Sequence, residues 1–266
     1  MVDWFPPATS ASTPHLRLLC VNDVYKPERL SQFKTMSLAN RALLASTTTK
    51  TVFPGDFLGG SVFAAGHTGA SVVDVLNHLD IDYFTHGNHE YDFGAARVAE
   101  LMDQSTFKWL GSNVRHAENK QLFHTTLDVD VFEVPVPSSS NGGGQQQRAV
   151  KVGVFGVCTD CTPSLADPGD TVVFEDPVAH AARCIALLRG PAHACDVVLG
   201  LTHVELPVDR KIAALPGIDV IVGGHEVRDL RHVRTRTPGL TLAGLSPPTP
   251  CSTSPSTSCP RARDAP

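Results

Sequence analysis

Four polar clusters in this chain carry residue types suited to holding a metal ion or moving a proton. They are Asn22-Asp23-Val24-Tyr25, Gly55-Asp56, Gly87-Asn88-His89-Glu90, and Thr202-His203 together with Gly223-Gly224-His225. Carboxylate, carboxamide and imidazole groups are oxygen and nitrogen donors for divalent cations, and carboxylate and imidazole also serve as general acids and bases. Each cluster follows a short apolar run that reads as a strand, and strand C-terminal ends are where open α/β sheets place their sites. Taken singly, the residues have plainer readings. Asp56 after Gly55 fits a simple turn, His225 after two glycines fits loop decoration, and His203 behind Leu201 fits a satisfied core histidine. Asp92 fits an N-cap for the helix that follows it.

The elements that must carry these clusters alternate. Residues 16–21, 50–53 and 82–85 read as strands, each stopped by a polar or glycine-containing turn. Between them, residues 29–44 place Leu30, Phe33, Met36, Leu38 and Leu43 at helical spacing, and residues 71–79 place Val72, Val73, Leu76 and Leu79 on one stripe. Residues 95–102 form a third helix. The order β-α-β-α-β specifies a layered α/β domain with a largely parallel sheet. In the middle, residues 122–136 alternate as a half-exposed strand and 149–157 form its partner, joined by the low-complexity run 138–147, a long hairpin with an expanded tip. The α/β pattern then resumes with a helix at 177–188, a strand at 196–201, a short helix at 208–213 and a strand at 219–222.

The resulting division is a flexible N-terminus at 1–14, one catalytic domain at 15–245, and a tail at 246–266 rich in Pro, Ser and Thr, expected to be disordered. At 42% hydrophobic residues the chain can bury a sizeable core, and a net charge of −5 with no basic excess argues against a nucleic-acid partner. Residues 1–14 lack the features of a signal peptide, and no apolar run reaches the roughly 18 residues of a membrane helix. The expectation is a cytoplasmic protein with no membrane association. Seven cysteines is an odd number, and their scatter argues against a disulfide framework. The C-x-x-C of Cys158 and Cys161 has no second copy, which argues against a zinc knuckle, and its strand belongs to the hairpin rather than to a redox unit. No G-x-G-x-x-G follows the first strand, which sets aside a dinucleotide-binding oxidoreductase.

In this order the clusters resemble the motifs of the calcineurin-like metallophosphoesterases: D-x-H, G-D-x-x, G-N-H-[DE], a lone His, and G-H-x-[HQ]. The run Gly87-Asn88-His89-Glu90-Tyr91-Asp92-Phe93-Gly94 is similar to the longer G-N-H-E-[FY]-D-x-G of the 5′-nucleotidase and UDP-sugar hydrolase branch, and Leu110-Gly111-Ser112-Asn113-Val114 resembles a small-residue-Asn strand of that branch. The resemblance implies a four-layer sandwich of two β-sheets flanked by helices. It implies hydrolysis of phosphate monoesters, with nucleotides as the expected substrate, by a water activated between two divalent ions (Zn, Mn, Fe, Co or Mg). It assigns Asp56 as the bridging ligand, Asn88, His203 and His225 to the second metal, and Asp23 to the first. His89 would contact the phosphate and help the leaving oxygen, with Asp92 holding its ring.

Two positions depart from that pattern. Tyr25 stands where D-x-H has its histidine, and Val227 stands at the last position of G-H-x-[HQ]. A phenol becomes a ligand only if the metal pulls down a pKa of about 10, and valine cannot ligate. The first site is therefore expected to be the weaker one, with Tyr25 its doubtful member. The separate base-stacking domain of the branch has no counterpart before the Ser/Pro-rich tail. A degenerate phosphoesterase fold that binds metal or a phosphorylated ligand without turnover is the alternative function.

Overall fold

The computed structural model describes residues 16–43, 47–135 and 149–226. The N-terminus at 1–14, the loop at 138–147, Val227 and the tail at 246–266, with Cys251 and Cys259, lie outside them.

Runs of β-branched and aromatic residues supply two four-stranded sheets. The first has the order β1 (Leu16–Cys20), β2 (Thr48–Phe53), β3 (Tyr83–Thr85), β4 (Lys108–Leu110), all parallel. The second has the order β10 (Val220–Gly224), β9 (Val197–His203), β7 (Ala149–Cys158), β6 (Val129–Pro135). Its first three strands are parallel, and β6 runs antiparallel to β7 as the arms of the expected hairpin. A two-stranded ribbon, β5 (Val114–His116) with β8 (Val172–Phe174), lies apart from both.

Side chains alternate across each strand, so one sequence run serves two cores. Leu18, Val52, Tyr83 and Leu110 of the first sheet meet Val154, Leu199, Leu201, Val220 and Val222 of the second. On the other face of the first sheet, Phe53 and Phe84 pack against α1 (Leu30–Leu43), α3 (Ala70–Asn77) and α4 (Ala95–Asp103). Phe84 is the hub there, with ring centroids 5.0 Å from Phe53 and 4.5 Å from Trp109. On the far face of the second sheet, Phe155, Val157 and Val198 pack against α6 (Pro177–Arg189) and α7 (Leu206–Ala213). Asp176 caps α6 by accepting the N–H groups of Val178 and Ala179 at 2.8 and 3.3 Å. Two one-turn helices complete the set, α2 (Val62–Ala65) and α5 (Thr162–Leu165). The layers run helices, sheet, sheet, helices, as expected. No helix among the described residues is long and apolar enough to cross a membrane.

Several expectations are corrected. Leu38 is 51% exposed and Ser37 is buried in its place. At 100° per residue, position 37 returns almost to the azimuth of Leu30, whereas 38 is turned about 80° away. The side chain of Leu43 lies outside the described residues. The strand expected over 122–136 starts only at Val129, and Leu122 and Leu127 make isolated bridges to Arg115 and Leu110. The segment 111–113 is a turn rather than a strand, closed by Val114 N–H donating to the Gly111 carbonyl at 3.0 Å. Buried Asn113 makes this possible by acting like a strand neighbour. Its amide donates to the carbonyls of Cys158 (2.7 Å) and Glu175 (2.8 Å), and its side-chain oxygen accepts the Cys158 N–H (2.9 Å). Burial pushes the Cys158 thiol well above its ordinary range, which opposes a reactive thiolate.

The packing makes a paired prediction. Phe84→Ala should cost about 3–5 kcal/mol in urea unfolding, because the hub of the outer core is lost. Leu38→Lys should change stability by about 0.5 kcal/mol or less. A large loss at Leu38 would show that this face of α1 is covered.

Candidate metal centre

Each cluster hangs from the C-terminal end of a strand: Asp23 beyond β1, Asp56 beyond β2, Asn88 and His89 beyond β3, His203 at the end of β9, and His225 one residue past β10. Three of these residues take the left-handed backbone conformation, Asp23 (φ 52°), Asp56 (φ 64°) and His225 (φ 75°). Such a residue reverses the chain as the strand ends and leaves its side chain at the sheet edge, at a cost of about 1–3 kcal/mol each. Segments of the two sheets touch at the same edge. A Cβ on Gly224 would lie 2.2 Å from the Pro54 carbonyl oxygen, and one on Gly87 would lie 2.3 Å from Asp56 Oδ1, so both positions require glycine.

His203 Nε2 is the focus. It lies 3.2 Å from Asp56 Oδ1, 3.3 Å from Asn88 Oδ1 and 3.2 Å from His225 Nδ1. Its other nitrogen, Nδ1, is 2.8 Å from the Pro54 carbonyl oxygen. A carbonyl only accepts, so Nδ1 carries a proton. Asp56 Oδ1, Asn88 Oδ1 and His225 Nδ1 then converge on Nε2, where a proton, or a cation ligated by Nε2 in its place, supplies the positive charge. A ligating histidine whose second nitrogen donates to a carbonyl is the usual arrangement at metal sites. Donor atoms of Asp56, His203 and His225 all close to within 4.8 Å of one another, and Asp23 falls outside that group.

Electrostatics agree. Burial lowers the His203 pKa, but Asp56 and Asp23 overcome this and hold it up at about 10. Burial raises that of Asp56, yet His203 beside it carries the carboxyl well below the usual range. Burial and the charge of His203 push His225 down to about 4, so its ring is neutral and able to ligate. Asp23 Oδ2 accepts the His225 N–H at 3.1 Å and an N–H of Asn22, while its Oδ1 is buried with no hydrogen-bond partner. An orphaned carboxylate oxygen beside this cluster is a further mark of a cation site. The residues present therefore fit a divalent metal.

His89 stands to one side of the focus. Its Nδ1 lies 3.0 Å from Asp92 Oδ2, which also accepts the Gly60 N–H at 2.8 Å. Asp92 does not cap the following helix, whose cap position is Gly94 with no side-chain bond. The Asp92 hydrogen bond raises the His89 pKa to about 9 against the opposing effect of burial. Tyr25 meets His89 edge-on at 5.6 Å and donates its hydroxyl to Asp56 Oδ2 at 3.0 Å. Burial, and then Asp56, push its phenol far above the ordinary range.

Sequence reasoning gave no role to Glu90, although it sits inside the quoted motif. Its Oε1 accepts the N–H groups of Phe57 (2.8 Å) and Leu58 (3.0 Å), and its Oε2 accepts those of Asp56 (2.9 Å) and Gly87 (2.6 Å). Burial and Asp56 raise its pKa, and these N–H groups oppose them. Glu90 ties the Asp56 loop to the Asn88 loop. The signal available was its place inside the quoted run, between His89 and Tyr91.

No protein-family model matches the sequence. Among curated proteins, the chain is 25% identical over 190 residues to the trifunctional nucleotide phosphoesterase YfkN of Bacillus subtilis, covering 64% of this chain and 13% of that protein. It is 29% identical over 177 residues to the snake venom 5′-nucleotidase of Gloydius brevicauda, covering 64% and 27%. Among solved structures, the calcineurin-like phosphoesterase YfkN from Bacillus subtilis superposes with a TM-score of 0.68 at 18% identity, covering 88% of this chain and 82% of that one. The curated relatives of this chain are 5′-nucleotidases and nucleotide phosphoesterases, and it shares its fold with the calcineurin-like phosphoesterase YfkN. The chain spans about a quarter of the length of the venom enzyme and less of YfkN.

Glu90→Gln tests the loop clamp. An amide keeps the shape but points its own N–H groups at two N–H donors, so stability should fall by about 3 kcal/mol in urea unfolding. Metal affinity should fall with it. Unchanged stability would mean the loops are held by other contacts.

Proposed function

We propose that this chain hydrolyses phosphate monoesters, with nucleotides as the substrate class, at a divalent metal centre held by Asp56, Asn88, His203 and His225. The observation that carries this reading is the convergence of Asp56, Asn88 and His225 on His203 Nε2, in a chain whose homologues are nucleotide phosphoesterases. A position beside Asp23, Asp56 and Tyr25 offers a second, weaker cation site. Held there, a divalent ion (Zn, Mn, Fe, Co or Mg) would supply charge neutralisation for the phosphoryl oxygens and a lowered pKa for the attacking water.

The chain's own residues do the rest. Asp92 engages His89 at Nδ1, which directs Nε2 outward with a proton. A pKa of about 9 keeps that proton on at neutral pH, so His89 can bind a phosphate oxygen and donate to the departing alkoxide. Asp56 balances the charge of the cation, and Glu90 holds its loop in register. Tyr25's bond to Asp56 Oδ2 favours a second reading, a metal-holding fold that binds a phosphorylated ligand without turnover.

The test is a phosphatase assay on an aryl phosphate and on nucleoside monophosphates, with the metal content of each variant measured in parallel. Asp56→Asn should abolish both metal retention and hydrolysis. His89→Asn should keep its metal and lose about 10²- to 10⁴-fold in kcat, less for esters with good leaving groups. Metal loss in the His89 variant would make it a ligand and break the assignment. A metal-loaded parent protein without turnover would establish the second reading.

A further inference from the structure

The two oxygens of Asp56 face different company. Oδ1 looks toward His203 Nε2, at 3.2 Å, and the donors gathered around it. Oδ2 accepts the Tyr25 hydroxyl at 3.0 Å. A carboxylate can bind one cation through each oxygen, but here the second oxygen already holds a proton donor. The phenol ring is not free to swing away. It stands edge-on to His89, with 86° between the ring planes, and fills the space over Gly60, where a Cβ would lie 2.7 Å from Tyr25 Cε1.

Among the described residues, the remaining donors on that side are few. Asp23 Oδ2 is engaged by the His225 and Asn22 N–H groups, which leaves Asp23 Oδ1 as its unengaged oxygen. One carboxylate oxygen does not hold a divalent ion against water. Opposite, Asp56 Oδ1, Asn88 Oδ1 and His225 Nδ1 each lie at hydrogen-bond distance of His203 Nε2, which makes four donors with His203 itself.

We propose that Tyr25 stands in for a cation: its hydroxyl, bonded to Asp56 Oδ2, keeps a second ion out, and the centre takes up a single divalent metal on the Oδ1 side. The proposal rests on the metal-centre reading above and refines it from two unequal sites to one. A hydrogen-bonded phenol leaves Asp56 with its full negative charge while fixing its rotamer. It also places a neutral donor, rather than a second Lewis acid, beside His89.

The experiment is equilibrium dialysis of the full chain against Mn²⁺, followed by elemental analysis and a thermal melt, on the parent, Tyr25→Phe and Tyr25→His. The parent should bind one equivalent, and Tyr25→Phe should still bind one, because the hydroxyl is not a ligand. Tyr25→His, which exchanges the donor for an acceptor, should admit a second equivalent. Two tight equivalents in the parent would overturn the proposal. So would metal loss in Tyr25→Phe, which would make the phenol oxygen a ligand, or a folded Tyr25→His that stays at one. Stoichiometry is read without substrate, so failure to cleave any phosphate ester would sink the hydrolase reading and leave the one-ion proposal standing.

Discussion

Three carboxylates, Asp23, Asp56 and Glu90, are drawn into one poorly solvated edge of the molecule, where burial raises the pKa of Asp23 and Glu90 while His203 holds that of Asp56 low. Buried like charges repel strongly, so each needs its own compensation. Asp56 has the imidazole of His203, the His89 N–H and the Tyr25 hydroxyl. Glu90 has four backbone N–H groups. Asp23 has two N–H donors on one oxygen and none on the other. The oxygen left without a partner is Asp23 Oδ1, and the donors gathered around His203 Nε2 beside it are the group that could hold a metal.

The sandwich makes this concentration of charge possible. Parallel strands end on the same edge of a sheet, so two facing parallel sheets bring the ends of β1, β2, β3, β9 and β10 together. The shared core between the sheets fixes their separation, and close approaches at Gly55 to His203 and at Gly224 to Pro54 let segments of different sheets touch. Left-handed residues at the strand ends then aim Asp23, Asp56 and His225. Their strain is sustained by the hydrophobic layers behind them, a common division of labour between scaffold and site.

Tyr25 sits beside the site without disturbing the fold. Its ring packs and its hydroxyl is satisfied, so nothing in the local structure is broken. It sets the company of one oxygen of Asp56, while His89 has its support from Asp92.

Much of this was legible in the sequence. Apolar periodicity located the main helices and most strands, because burial of one face is a local pattern. The spacing of polar residues after strands named every member of the cluster around His203. The misjudged pieces are those in which distant groups decide local form. Leu38 is exposed because the azimuth of α1 is set by the sheet it covers, and 111–113 is a turn because Asn113 bonds to Cys158 and Glu175 from another part of the chain. Glu90 was silent because its partners, apart from Gly87, lie more than thirty residues away. Sequence by itself determined which residue types stand at the strand ends. Tertiary structure alone decided which oxygen faces which partner, because a carboxylate's two oxygens are the same in sequence and differ only in what folding brings beside them.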